Sequence, residues 1–234
     1  MSDFFSLLAH WRPRLIAVAA AAADGDGAHD VQHLHRVWRV AQQLLTEYPE
    51  ADGLVVLAAC YLHDLVNLPK DDPRRGQASR LAAQQARGVL AEAGFPVERL
   101  DAVAHAIEAH SFSAGIPPRS LEARIVQDAD RMDALGAVGL ARMFYTAGRM
   151  GSALAHADDP LALRRPADDR AYSLDHIEVK LATLPALMNT AAARRLGEQR
   201  VAWLREFRGV FVAEWGSGST DGFAAEQAGR FAED

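Results

Sequence analysis

The fold turns on one stretch, Leu54-Val55-Val56-Leu57-Ala58-Ala59-Cys60-Tyr61-Leu62-His63-Asp64-Leu65-Val66. Nine apolar residues in a row give a helix no polar side to show to water. A helix over 52–66 is therefore predicted at the centre of the protein. It runs straight into His63-Asp64. A carboxylate at the end of a buried helix loses hydration and needs a hydrogen-bond partner or a metal. On the dipeptide alone, a His–Asp hydrogen bond at a helix end suffices as an explanation. About one His-Asp is expected by chance in a chain this long, and His29-Asp30 is a second instance.

Upstream lies Asp30-Val31-Gln32-His33-Leu34-His35-Arg36-Val37. On a helix, His33 shares a face with Val37, Val40 and Leu44, at i+4, i+7 and i+11, and that face points inward. His35 aligns instead with Arg39, Gln42 and Thr46, a polar face. Asp30 suits an N-cap. Downstream lies Ile125-Val126-Gln127-Asp128-Ala129-Asp130-Arg131-Met132-Asp133, three aspartates in a segment otherwise built for burial. Helix caps account for one or two of them, and any one could be an acidic ligand. Two imidazoles and two carboxylates form a donor set suited to Mn2+, Fe2+, Co2+ or Zn2+.

The rest of the chain is also helical in pattern. Helices are predicted at 3–22, 31–47, 52–66, 77–93, 97–109, 118–127, 130–148, 173–190 and 192–214. Asp24-Gly25-Asp26-Gly27, Pro49, Gly53, Gly94-Phe95-Pro96 and Gly115 to Pro118 supply the breaks. The longest irregular stretch is 151–172, a loop long enough to be functional or mobile. The fold class is all-α, a compact single-domain helical bundle. Residues 1–24 form an N-terminal helix, 25–214 the main domain within the same compact unit, and 215–234 a flexible tail.

Arg12, Arg14 and the alanines at 19–23 loosely imitate a signal peptide. Asp3 and Trp11 fit that reading badly, and a first helix is expected instead. No segment reaches the roughly 18 apolar residues that span a bilayer. The net charge of -6 disfavours a nucleic-acid binder, because no basic stripe is available to track a phosphate backbone. The one cysteine, Cys60, allows no intrachain disulfide and fits a reducing cytoplasm. No membrane partner is expected.

Taken in order, a histidine on one helix, a His-Asp pair on the next and a later aspartate before arginine resemble the HD-domain superfamily of metal-dependent phosphohydrolases. The resemblance implies His33, His63, Asp64 and Asp130 as ligands of one divalent metal, with Mg2+ added to the candidates. It selects Asp130 over Asp128 and Asp133 because the family's ligand precedes arginine. The motifs Ala59 to Asp64, His105-Ala106-Ile107-Glu108-Ala109-His110-Ser111-Phe112-Ser113, Ile125 to Arg131, Leu174-Asp175-His176 and Lys180-Leu181 are similar to a small bacterial subgroup. Some of its members cleave nucleoside triphosphates to monophosphate and pyrophosphate. The similarity spans roughly residues 25–214.

Family members that hydrolyse guanosine tetraphosphate carry Glu-Asp after the His-Asp. Asn67 and Leu68 stand here, which argues against that chemistry. His105 and His110 lie about 140° apart on a helix and do not converge easily, so one metal is expected rather than two.

The resemblance implies a metal that polarises a phosphate and activates water, with Asp64 and Asp130 also able to orient that water. Lys70, Arg74 and Arg75 follow the His-Asp pair, and Lys70 is the leading phosphate contact. His110 is the candidate proton donor or phosphate contact, and His105 is structural. Asp128 is a candidate to hold a histidine tautomer from behind. His176 and Lys180 are candidates to border the pocket. Trp38, Trp203 and Phe207 have core spacing. The expected substrate is a small phosphate ester, most concretely a nucleoside triphosphate. A 5'-nucleotidase, a phosphodiesterase and a non-catalytic metal or nucleotide sensor are the alternatives. A homodimer through helices outside the site stays open.

Overall fold

The computed structural model describes residues 2–22, 31–66, 68, 72–111 and 114–216, with the side chains of 2–5 left aside. His29, Asp30, Lys70 and the tail from 217 lie outside the described residues. Among the described residues the chain is helical and contains no strand beyond an isolated parallel bridge between Ala153 and Tyr172. No described helix is long and apolar enough to cross a membrane. The chain divides into two compact units, Met1–Ala134 with Pro185–Gly197, and Leu135–Leu184 with Glu198–Asp234.

In the first unit, α3 (Gly53–Leu62) is buried over its whole length. The sequence dictates this, because the helix has no polar residue to turn outward. Asp52 caps it, accepting from the backbone N–H groups of Leu54 and Val55. Around it pack α1 (Ser2–Ala22), α2 (Val31–Leu45), α5 (Leu100–His110) and α6 (Leu121–Met132), while α4 (Ala78–Glu92) lies chiefly on α5. Trp11, Leu15 and Ala19, four residues apart, form the buried stripe of α1. After α4, Gly94 takes a left-handed φ of 76°. This lets Phe95 N–H reach back to the Leu90 carbonyl and carries Phe95 onto the edge of Trp11.

Two boundaries depart from the sequence reading. The helices expected at 118–127 and 130–148 are instead α6 and α7 (Gly136–Arg149). Ser120 caps α6 by accepting from Ala123 N–H. The break falls at Gly136, whose φ of 79° ends the run after Asp133. Asp128 and Asp130 are thus both on α6. The helix expected over 173–190 is broken into a 3-10 turn at Ser173–Asp175, the short α8 (His176–Val179) and a 3-10 segment at Leu181–Leu187 that contains Pro185. Proline cannot donate the bond that would continue an α-helix. The last helix, α9 (Ala191–Trp215), belongs to the first unit through Gly197 and to the second from Glu198.

In the second unit, the 151–172 stretch is irregular but densely hydrogen-bonded. Asp159 accepts from the N–H groups of Leu163 and Arg164, and Arg165 makes a two-pronged bond to the buried Asp175. Phe144 on α7 lies against Phe207 and Phe211 of α9. Trp38, in the first unit, is buried as its spacing suggested. Trp203 is not, at 41% exposed.

Candidate metal centre

Three helices of the first unit deliver the cluster. His33 comes from α2, on the buried face with Val37, Val40 and Leu44. His63 and Asp64 follow the last turn of α3, and Asp130 comes from α6. His33 and His63 are 4% and 1% exposed, so neither imidazole is a surface group.

His33 Nε2 stands 3.3 Å from His63 Nε2, 3.3 Å from Asp130 Oδ1 and 3.7 Å from Asp64 Oδ2. His63 Nε2 is 3.4 Å from Asp64 Oδ2 and 3.7 Å from Asp130 Oδ1. Donors held about 2.0–2.2 Å from one cation lie about 3.0 Å apart at right angles and about 3.4 Å apart in a tetrahedron. The spacing here fits a single ion within this set.

The histidine tautomers fit as well. His33 Nδ1 donates to Asp133 Oδ2 at 2.8 Å, His63 Nδ1 to the Cys60 carbonyl at 3.0 Å, and His110 Nδ1 to the Ile107 carbonyl at 2.6 Å. Each ring thereby turns its Nε2 lone pair toward the same space. His110 Nε2 lies 3.8 Å from Asp64 Oδ1, and its ring meets that of His63 at 4.7 Å between centroids. Two overlapping groups could hold a metal: His33, His63 and Asp64, and His63, His110 and Asp130.

The charges point the same way. Burial disfavours the charged form of His33, but bonds to Asp130 and Asp133, with Asp64 nearby, outweigh it and raise the pKa to about 9. Burial likewise opposes charge on His63, and Asp64 and Asp130 overcome it to raise the pKa. Burial also opposes charge on Asp64, yet the neighbouring histidines, His63 foremost, hold it well below the usual carboxylate range. Asp130 is lowered in the same way, chiefly by its bond to His33. Two carboxylates kept ionised in a buried pocket are a demand for positive charge. His110 is pushed the other way, lowered by burial and by His63, and is a neutral acceptor at Nε2. Burial pushes the Cys60 thiol up, so it is an inert part of the core.

The structure reassigns one residue and adds another. Asp128 does not hold a histidine. Its buried carboxylate accepts from Asn189 N–H and Nδ2 and from Thr190 N–H and Oγ1, all at 2.8 Å, and so secures the start of α9. Asp133 orients His33 and is itself gripped by Arg36 at 2.7 and 3.1 Å. His105 lies apart, accepting from Arg119 N–H. Arg74 is paired with Asp72, and Arg75 donates to the Leu68 carbonyl. Arg131 donates to the Leu187 carbonyl. His176 and Lys180 belong to the second unit, where His176 donates to Asp169.

With this geometry established, similarity to known proteins is informative. The HD domain family model matches residues 30–135, a span that holds all four candidate ligands. The uncharacterized protein YpgQ of Bacillus subtilis is 34% identical over 194 residues, covering 81% of this chain and 86% of YpgQ. The crystal structure of YpgQ in complex with ADP superposes with a TM-score of 0.67 at 28% identity, over 92% of this chain and 98% of that one. An HD-superfamily hydrolase from Bacillus thuringiensis superposes with a TM-score of 0.69 at 29% identity, over 90% and 99%. The chain belongs to the HD-domain family. It is an enzyme of that class, a metal-dependent phosphohydrolase.

Proposed function

We propose that the protein hydrolyses nucleoside triphosphates to monophosphate and pyrophosphate, with His33, His63, Asp64 and Asp130 as ligands of one divalent cation. The observation that carries this reading is that His33 and His63, 3.3 Å apart at Nε2, each lie 3.3–3.7 Å from both Asp64 and Asp130, in a pocket that keeps the two carboxylates ionised. The ADP found on B. subtilis YpgQ supports a nucleotide as substrate. Such a reaction fits a cytoplasmic protein.

When bound, the cation supplies Lewis-acid stabilisation of the charge that builds on the phosphate oxygens. The chain does the rest. Asp133 and the Cys60 carbonyl fix the rings of His33 and His63, so little is lost to reorganisation during the reaction. His110, neutral and with Nδ1–H tied to Ile107, offers Nε2 as acceptor for the proton released by the attacking water. In this reading His110 acts as a base, where the sequence suggested a proton donor or phosphate contact. Asp64 Oδ1, facing His110, orients that water. Lys70 is retained as a contact to the distal phosphates on the strength of its position after His63-Asp64.

The test strips the protein with chelator and restores Mn2+, Fe2+, Co2+, Zn2+ or Mg2+ singly. Pyrophosphate and phosphate release from nucleoside triphosphates are followed, with Asp64→Ala as control. Metal-dependent pyrophosphate release that the variant loses is the expected result. Stoichiometric metal binding without turnover would favour a sensor. Phosphate released from monophosphates alone would favour a 5'-nucleotidase.

A further inference from the structure

Asp133 stands where helix electrostatics disfavour it. It caps the C-terminal end of α6, and its N–H donates to the Asp130 carbonyl at 3.0 Å. The partial negative charge of a helix C-terminus repels a carboxylate there. The residue is also 4% exposed, so water does little to offset that repulsion. A carboxylate placed against both preferences needs particular partners. Two of them are on α2, one turn apart: His33 and Arg36.

Arg36 closes a fork on this carboxylate. Its Nε donates to Oδ1 at 2.7 Å and its Nη2 to Oδ2 at 3.1 Å. Oδ2 is the same atom that accepts from His33 Nδ1 at 2.8 Å. Two parallel bonds from a planar guanidinium fix the plane of the carboxylate, which a point charge does not. That plane sets the rotation of the His33 ring, and with it the aim of Nε2, which stands 3.3 Å from both His63 Nε2 and Asp130 Oδ1. The backbone adds a second route. Because Asp133 N–H is tied to the Asp130 carbonyl, the fork that binds Asp133 to α2 also holds the last turn of α6, and Asp130 on it, against His33. With a cation on its Nε2, His33 is a neutral donor, and Arg36 then supplies a full positive charge to Asp133.

We propose that Arg36 is a positioning residue of the metal centre: through Asp133 it sets the aim of His33 and the place of Asp130, and thereby the affinity for the cation. Arg36 is not itself a ligand. The proposal rests on the four-ligand reading above and is independent of which phosphate ester is the substrate.

The test reads metal binding and not turnover. Co2+ is titrated into the chelator-stripped full chain, into Arg36→Met, Arg36→Lys and Asp133→Asn, and into the double variant Arg36→Met with Asp133→Asn. Binding is followed by calorimetry and by the visible absorption of the bound ion. Removing a partner behind a ligand histidine weakens metal binding by about 10–100-fold. Arg36→Met is expected to lose about that much and to shift the Co2+ spectrum. Arg36→Lys should lose about tenfold or more, because its point charge leaves the carboxylate plane unfixed. The double variant should bind no more weakly than Asp133→Asn alone, since Arg36 acts through that residue. Unchanged affinity and spectrum in either Arg36 variant would overturn the inference, and so would losses that add in the double variant. If neither Arg36 variant melts cooperatively, proton exchange at Arg36 Nε–H in the unmodified, Zn2+-loaded chain decides: slow exchange supports the fork, and exchange at the rate of free arginine overturns it. Should the unmodified chain bind no Co2+, the four-ligand assignment falls and this inference with it. Co2+ bound equally well by the unmodified chain and the Arg36 variants sinks this inference alone.

Discussion

His33 is turned inward by local spacing alone, since Val37, Val40 and Leu44 line the buried face it shares. Asp128 and Asp130 on α6, and Asp133 at its C-terminal cap, are a different case. Their roles depend on partners far along the chain: Asn189 and Thr190 for Asp128, His33 and Arg36 for Asp133. Nothing in a window of neighbours encodes a contact 60 to 100 residues away, so only the family resemblance could single out Asp130. Asp133 has a measurable consequence. In the metal-free chain, His33 is raised from 6.5 to about 9. A raised folded-state pKa means that the imidazolium favours the fold. Its contribution is complete below about pH 6.5 and is lost as pH rises through about 9. Chelator-treated protein should therefore lose resistance to urea between pH 7 and 9.5. Asp133→Asn, which removes one of the carboxylates holding that charge, should flatten the loss. Equal slopes in the two proteins would exclude this coupling.

At the scale of elements, α3 was legible because its pattern admits one interpretation. Ten residues without a polar face can only be a central helix, and all ten are buried. The 173–190 segment was misread because its apolar spacing also suits a helix, while Pro185 and the 3-10 turns on either side of α8 interrupt it. Periodicity reports which residues face inward but not whether each backbone bond can form. The site hangs on α3, so its packing can be tested directly. Leu57 is fully buried. Leu57→Ala should cost about 2–5 kcal/mol in equilibrium urea unfolding, the lost burial plus the cavity left behind. A cost under about 1 kcal/mol would mean that α3 is not the packed centre of its unit.

At the scale of the whole molecule, the first unit is discontinuous in sequence. It takes residues 1–134 and then Pro185–Gly197, after the chain has run through the second unit. The matched family span ends at 135 and omits the returning segment. Asp128 is fully buried, and the partners on that segment are what compensate its charge. Removing one side of a buried charged contact costs about 3–5 kcal/mol. A fragment of residues 1–135 should thus lack a cooperative thermal transition and bind Mn2+ poorly, whereas residues 1–216 should melt cooperatively and bind Mn2+. A fragment 1–135 that melts cooperatively with full metal affinity would refute the dependence.

The same clamp sets an order of events during biosynthesis. Every candidate ligand has left the ribosome once Asp130 emerges, yet the carboxylate two residues before it still awaits Thr190. A nascent chain stalled between them would carry all four ligands on an incompletely closed scaffold. Maturation of the metal site is thereby timed to the emergence of Thr190, some sixty residues after the last ligand.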